Sequence, residues 1–408
     1  LSIIASLPYV STMRRSNVLA LVLVAALPLV WLLGVWAGGH PDRLPGPLRD
    51  AFVADDVNHL QSALDTIQEE YYRPLKRSQL VDSSINGAVD RLGDRFSHYF
   101  NAKDYRRFRE STDGRYAGIG VEVVEVPQGL RIARVIAGAP AQKAGFKAND
   151  IIVAVNGHSI AGQATARASS SIRGKPGTSV SLIVATGTRR RTVTVMRATV
   201  ADEVVRSKLT KVGHTPVAVV ALDSFTSGAH GEVRQAVDRL LTRGARAIVF
   251  DLRGNGGGLL DEAVLVSSIF IKQGTIVTTR GRSRPEHVFR ASGRAISGSI
   301  PVVVLVDHNS ASASEIVTGA LQDRKRAKVV GTRTFGKGVF QSVLELPNGG
   351  ALDITVGEYF LPSGRNIGGG GVKQGKGIAP DVPAQDDPRT KSDEGLDRAL
   401  AVVAGEVG

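Results

Sequence analysis

The hydrophobic pattern changes period several times along the 408 residues. Val18 to Gly39 is uncharged and apolar over roughly the length that crosses a bilayer. Phe52 to Tyr72 places Val57, Leu60, Leu64 and Ile67 at helical spacing, and Leu80 to Leu92 predicts a second helix. From Tyr116 the period shortens: VEVVEV and GLRIARVI alternate as strands do, and Asn156-Gly157 marks a hairpin turn. Ala164 to Ile172 reads as a helix, followed by strands at Val180–Val184 and Arg191–Met196. Beyond Val200 strands and helices alternate. Strands are predicted at Pro216–Leu222, Ala247–Phe250 and Pro301–Val306. Helices are predicted at Gly231–Leu240, Leu259–Phe270 and from Glu315 through Leu321. Ile276–Arg280 and His287–Ala291 suggest a basic hairpin, and further strands follow at Gln341–Leu346, Ala351–Glu358 and Tyr359–Leu361. Leu396–Val403 closes the chain as a helix. A β-rich module is thus set between a helical region and an α/β core.

Composition narrows the function. The length exceeds one ordinary core, so two or three domains are expected. The chain has no cysteine, which excludes a disulfide framework, a thiol nucleophile and cysteine-bound metal. Its histidines are scattered without a ligand spacing, so neither metal nor cofactor is expected. The formal charge of +13 favours anionic surfaces, but the basic residues are dispersed apart from Arg189–Arg191 and Arg324–Arg326. No nucleic-acid-binding module is visible, so nucleic acid is not an expected partner. Arg14 and Arg15 ahead of the apolar run predict a cytoplasmic N-terminus and an extracytoplasmic remainder. Met13 has the better start context, making residues 1–12 extra sequence. The long apolar run favours an uncleaved, single-pass membrane anchor; cleavage would give a secreted protein.

The candidate chemistry lies between Pro301 and Gln341. Ser310, Ser312 and Ser314 alternate with alanine where a strand hands over to a helix. A serine there can expose its hydroxyl beside unpaired backbone N–H groups. It needs a base, and no histidine is placed for that. Lys337, between Gly336 and Gly338, can serve where burial lowers its pKa, and Gln341 can orient it. By pattern alone an isolated serine at a helix start is a cap, and Ser310 competes with Ser312 as nucleophile.

SASASEI, GALQD and TFGKGVFQ, in this order, resemble the carboxyl-terminal processing proteases, the tail-specific serine peptidases. The resemblance covers about residues 55 to 383. It implies Ser312 as nucleophile, Lys337 as base and Gln341 as the residue that positions the lysine. DLRGNGGG resembles the family's DLRxNxGG loop, which implies an oxyanion hole built from the N–H groups of Gly257 and Ala313. Gly256 stands where proline is common, which leaves Gly256 as a rival to Gly257. GDRFSHYF is similar to the family's LDPHSxYF turn, and His98 is read as structural. Tyr116 to about Val200, with APAQKAGFKANDIIVAVNG, strongly resembles a PDZ domain. Its loop Gly118, Ile119, Gly120, Val121 would hold a peptide carboxylate.

The resemblance implies a crotonase-like (ClpP-like) α/β peptidase core with an inserted β-rich PDZ domain and an N-terminal helical region. The expected segments are 1–39 (extension and anchor), 40–50 (linker), 51–114 (helical region), 115–200 (PDZ), 201–383 (core) and 384–408 (tail). The expected partners are protein or peptide substrates with free C-termini, the membrane, and a homodimer or adaptor. Two rivals are a tethered PDZ scaffold without catalysis and a crotonase-like acyl-CoA enzyme.

Overall fold

The computed structural model describes residues 55–407. The anchor, the linker and the first residues of the helical region lie outside the described residues. The chain divides into two compact units at Ile85/Asn86.

The first unit holds α1 (Asp55–Glu70) and most of α2 (Arg77–Asp90), with Arg77 ion-paired to Asp65 at 2.7 Å. Helical periodicity in α1 is realised, but its apolar stripe is not covered: Leu64 is buried, while Val57, Leu60 and Ile67 are exposed.

The second unit begins with β1 (His98–Phe100) and α3 (Ala102–Thr112), which Asn101 caps through its side-chain oxygen. A short strand, β2 (Arg115–Gly118), leads into a β-rich module: β3 (Val121–Val126), β4 (Gly129–Val135), α4 (Pro140–Lys143), β5 (Ile151–Val155), β6 (His158–Ser159), α5 (Thr165–Ile172), β7 (Ser179–Thr186) and β8 (Arg189–Met196). β9 (Ala198–Ala201) then returns antiparallel to β2, with Gly118 opposite Ala198. Asn156 and Gly157 both take positive φ in the β5–β6 hairpin, as a two-residue turn of primed type requires. The module has its own core around Leu130, Ile132, Ile152, Leu182 and Ile172.

The remaining elements are β10 (Val205–Val212), β11 (Thr215–Leu222), α6 (Ala229–Thr242), β12 (Ala247–Asp251), α7 (Leu260–Phe270), β13 (Thr275–Arg280), β14 (His287–Arg290), β15 (Val302–Val306), α8 (Ala313–Asp323), β16 (Lys328–Gly331), β17 (Val339–Glu345), β18 (Ala351–Phe360), β19 (Val382–Pro383) and α9 (Glu394–Ala404). The two strands expected at Ala351–Glu358 and Tyr359–Leu361 are one continuous strand, β18. One sheet has the order β10-β11-β12-β15-β16-β19, and every pairing from β11 onward is parallel. Both its faces are covered. Ala218, Val220, Phe250, Val302 and Val304 pack with α6, α7 and α8, while Val217, Val249, Val303 and Leu305 pack with Leu396, Ala399 and Val403 of α9. That double burial is why Val302–Val306 is uninterrupted apolar sequence rather than an alternation. A second sheet, β1-β18-β13-β14 with β17 on β18, supplies one wall of the site.

Candidate active site

Three loops meet at the carboxyl ends of the parallel strands, where ligands of open α/β sheets bind. They follow β12, β15 and β16 and carry Asn255–Gly258, Ser310–Ser312 and Thr334–Lys337. The expected residues Ser312, Ala313, Lys337 and Gln341 line one cavity of about 320 Å³, together with Gly256, Gly258, Asp353 and Tyr359.

The structure separates the three serines. The Ser310 hydroxyl is buried and donates to the Leu252 carbonyl at 2.8 Å. That of Ser314, also buried, donates to the Asn255 carbonyl at 2.8 Å. Both hold the turn together, and neither lines the cavity. Ser312 is the N-cap of α8 and adopts φ 56° and ψ −114°. A non-glycine residue in that region is strained, as at the sharp strand-to-helix turn that presents a nucleophilic serine. The Ala313 N–H is the first of α8, and no described residue accepts from it.

Glu315 fixes the lysine relative to the serine. Its carboxylate is fully buried and accepts four hydrogen bonds: Ser312 N–H at 2.9 Å, Thr334 Oγ1 at 2.6 Å, Gly336 N–H at 2.7 Å and Lys337 N–H at 2.9 Å. The backbones of candidate nucleophile and candidate base thus share one carboxylate oxygen, Oε2. Burial raises the Glu315 pKa, and the four donors act against that. The hydroxyl of Tyr359 donates to the Lys337 carbonyl from the other side.

The Lys337 ammonium donates to Gln341 Oε1 at 2.6 Å and lies 4.9 Å from the centre of the Phe96 ring. Gln341 Nε2 in turn donates to Thr355 Oγ1 at 2.9 Å. The Thr355 N–H donates to Ser97 Oγ at 3.0 Å, and Ser97 donates to Asp94 at 2.6 Å. The residue expected to orient the lysine therefore holds it, and a chain of bonds ties that glutamine to the turn before β1. Burial lowers the Lys337 pKa below the ordinary lysine range, and Asp353, Asp94 and Glu315 oppose the shift by their charge.

The glycine loop is held by Asn255, which is fully buried. Its Nδ2 donates to the Leu222 carbonyl at 2.8 Å, and its Oδ1 accepts from Gly257 N–H at 2.8 Å. The N–H expected to bind an oxyanion is thus engaged within the loop in this conformation. Gly257 still lies against the serine: a Cβ on it would sit 2.9 Å from Ser312 Cβ and 3.0 Å from Ala313 N. The N–H of Gly258, a cavity residue, has no partner among the described residues.

A second concavity, of about 310 Å³, lies between β3 and α5. Gly118, Ile119, Gly120 and Val121 line it, with Thr165, Ser169, Ile172 and Arg173 opposite. Among the described residues no group accepts from the N–H groups of Ile119 and Gly120. Gly120 has φ 79°, and a Cβ there would meet Ala139 Cβ at 2.2 Å. His98 is exposed on β1 and is not among the residues lining the cavity that holds Ser312.

Sequence reasoning missed Asn255, Thr355, Tyr359 and Asp353 as parts of the site. Glu315 carried a signal, the S-x-x-E spacing of a capping box, but only as a helix start.

Three family models match the chain: peptidase family S41 over residues 216–384, a PDZ domain over 117–196, and the activating protease CtpB N-terminal domain over 48–104. A probable CtpA-like serine protease of Staphylococcus epidermidis is 33% identical over 329 residues, covering 80% of this chain and 65% of that protein. One from Staphylococcus aureus is 34% identical over 340 residues, covering 83% and 66%. The chain thus spans about two thirds of the length of these relatives. Among solved structures, a photosystem II D1 C-terminal processing protease matches with TM-score 0.50 and 26% identity, covering 87% of this chain and 100% of that one.

Proposed function

This chain belongs, through residues 216–384, to peptidase family S41, and from that premise we propose that it is a serine endopeptidase that cleaves proteins near their C-termini. The observation that carries the reading is the shared Glu315 oxygen, which sets Ser312 and Lys337 side by side on one cavity. Neutral Lys337 takes the Ser312 proton, and Ser312 Oγ attacks the peptide carbonyl to form a tetrahedral oxyanion. Ala313 N–H stabilises that oxyanion. Gly257 becomes the second donor once its N–H leaves Asn255, and Gly258 N–H is the donor already unengaged. Lys337 then protonates the leaving amine, and water hydrolyses the acyl-enzyme. Gln341 positions the lysine.

The PDZ domain takes the substrate C-terminus as a strand beside β3, with the carboxylate on Ile119 and Gly120 N–H. Arg173 at the end of α5 adds a cation to that end of the groove. The cleft is assigned to the extracytoplasmic side of a membrane that Val18–Gly39 crosses, a reading supported by Arg14 and Arg15. Among the described residues no helix is long and apolar enough to cross a membrane.

A fluorophosphonate probe tests the chemistry. It should label the wild type and fail to label Ser312→Ala. Lys337→Met should abolish peptide turnover while the PDZ domain still binds tails. A chain that binds C-terminal peptides but never labels would instead be a scaffold. Amidating a substrate's C-terminal carboxylate should slow cleavage, and unchanged turnover would remove the C-terminal part of the reading.

A further inference from the structure

Asp353 is a charged group in the cavity that the proposed chemistry leaves unused. On β18 it stands opposite Val343 of β17 and His98 of β1. Thr355, two residues on, stands opposite Gln341. Side chains two apart on a strand share a face, so Asp353 lies on the face that carries the Gln341–Thr355 pair. It lines the cavity with Ser312 and Lys337.

Its carboxylate has no hydrogen-bond or ion-pair partner among the described residues. The Lys337 ammonium goes to Gln341 instead. The charged groups around Asp353 are Lys337, His98 and Asp94, and burial holds its pKa above the ordinary value. Asp353 is half-buried, and its unpaired carboxylate lies on the open cavity, where an incoming cation can reach it. The cavity wall is otherwise largely apolar, through Phe108, Leu259, Leu260, Ile316, Phe340 and Val343. Apolar walls ending in one acid complement a long aliphatic stem that ends in a cation. A neutral aliphatic side chain would fill the walls and leave the acid unpaired. An acidic one would face like charge.

We propose that Asp353 forms a cation-selective subsite beside Ser312, which takes a lysine or arginine side chain of the substrate peptide close to the scissile bond. This rests on the peptidase reading above. The experiment measures kcat/KM on one peptide scaffold, with lysine, arginine, norleucine, glutamine and glutamate placed in turn at each of the positions flanking the cut. At one position the wild type should favour lysine or arginine over norleucine by about ten- to a hundredfold, the range of a charge-assisted hydrogen bond. Asp353→Asn should lose that preference, Asp353→Glu should keep it, and Asp353→Lys should turn it toward glutamate. Fluorophosphonate labelling of Ser312 shows that each variant's site is assembled.

A wild type that cleaves the norleucine peptide as well as the basic ones overturns the subsite. So does a preference that survives in Asp353→Asn. If Asp353 served only as a counter-ion of Lys337, Asp353→Asn would change every peptide by one factor and leave the ratios intact, which also refutes the subsite. A wild type that neither labels nor cleaves any peptide overturns the peptidase reading, and this inference with it.

Discussion

Replacing Glu315 by glutamine tests whether one carboxylate sets the spacing between serine and lysine. Oε2 accepts from Ser312 and Lys337 N–H, both obligate donors, so an amide nitrogen is not tolerated there. The amide must therefore face the Oε1 side. Thr334 Oγ1, which already accepts from Ile378 N–H, can accept from the amide only by turning its own O–H away, and Gly336 N–H meets a second donor. One buried N–H left unsatisfied costs about 1–3 kcal/mol, and two bonds that change from charged to neutral lose roughly 1 kcal/mol each. Relief of the buried charge offsets part of this, which leaves a net destabilisation of about 3 kcal/mol. Losing the Gly336 bond frees the backbone next to Lys337, and misplacing a catalytic group by about 1 Å can cost about a hundredfold in rate. The expected result is a kcat lower by about two orders of magnitude, with a smaller change in KM. Steady-state turnover of a chromogenic peptide and urea denaturation measure the two effects separately. A variant that is less stable but turns over at the wild-type rate would refute the reasoning, because the carboxylate would then hold the fold and not the spacing. Alanine is the less informative change: it would orphan all four donors, at about 1–3 kcal/mol each, against a total stability of about 5–15 kcal/mol.

Three further outcomes follow from the same geometry. Gly257→Ala puts a Cβ 2.8 Å from the Ala311 carbonyl oxygen at φ 108°, so Ser312 labelling should slow at least about tenfold, one lost hydrogen bond's worth, and a wild-type rate would show that the loop yields freely. Thr355→Val removes the acceptor for Gln341 Nε2, and kcat should fall by about three- to tenfold, as for one neutral hydrogen bond, with stopped-flow acylation as the readout. On the proposed mechanism Lys337 acts as a neutral base, so kcat/KM should rise with pH through a midpoint below the ordinary lysine value of about 10.4. Asp353 raises the Lys337 pKa, so Asp353→Asn should move that midpoint, read on a neutral peptide, to lower pH; a shift upward would contradict the assigned sign.

The parallel core was legible because strands buried on both faces have a distinctive composition, and Val302–Val306 shows it without ambiguity. The hairpin at Asn156-Gly157 was legible because few residues accept positive φ. The choice among Ser310, Ser312 and Ser314 was not legible from pattern. It depends on carbonyls of Leu252 and Asn255, almost sixty residues away in the chain. The family resemblance supplied Ser312; the structure buries the hydroxyls of Ser310 and Ser314. The engagement of Gly257 was hidden for a similar reason, since it rests on how the Asn255 side chain turns. Asp353 and Thr355 escaped notice because only the register of β17 against β18 brings Thr355 opposite Gln341 and Asp353 opposite Val343. Periodicity in α1 correctly indicated a helix but not the exposure of Val57, Leu60 and Ile67, because a repeat says which side chains share a stripe, not what covers it.

β2 and β9 run antiparallel, with Gly118 facing Ala198. Residues facing each other across such a pair have Cα atoms about 5 Å apart. Everything between them leaves the α/β body and rejoins it at nearly one point, like a cartridge on a two-pin socket. A tight loop could replace residues 119–197 without stretching the remaining chain, and a foreign module with adjacent termini could be spliced in their place. Recombination at that socket is a simple route by which one α/β body could acquire a new clientele.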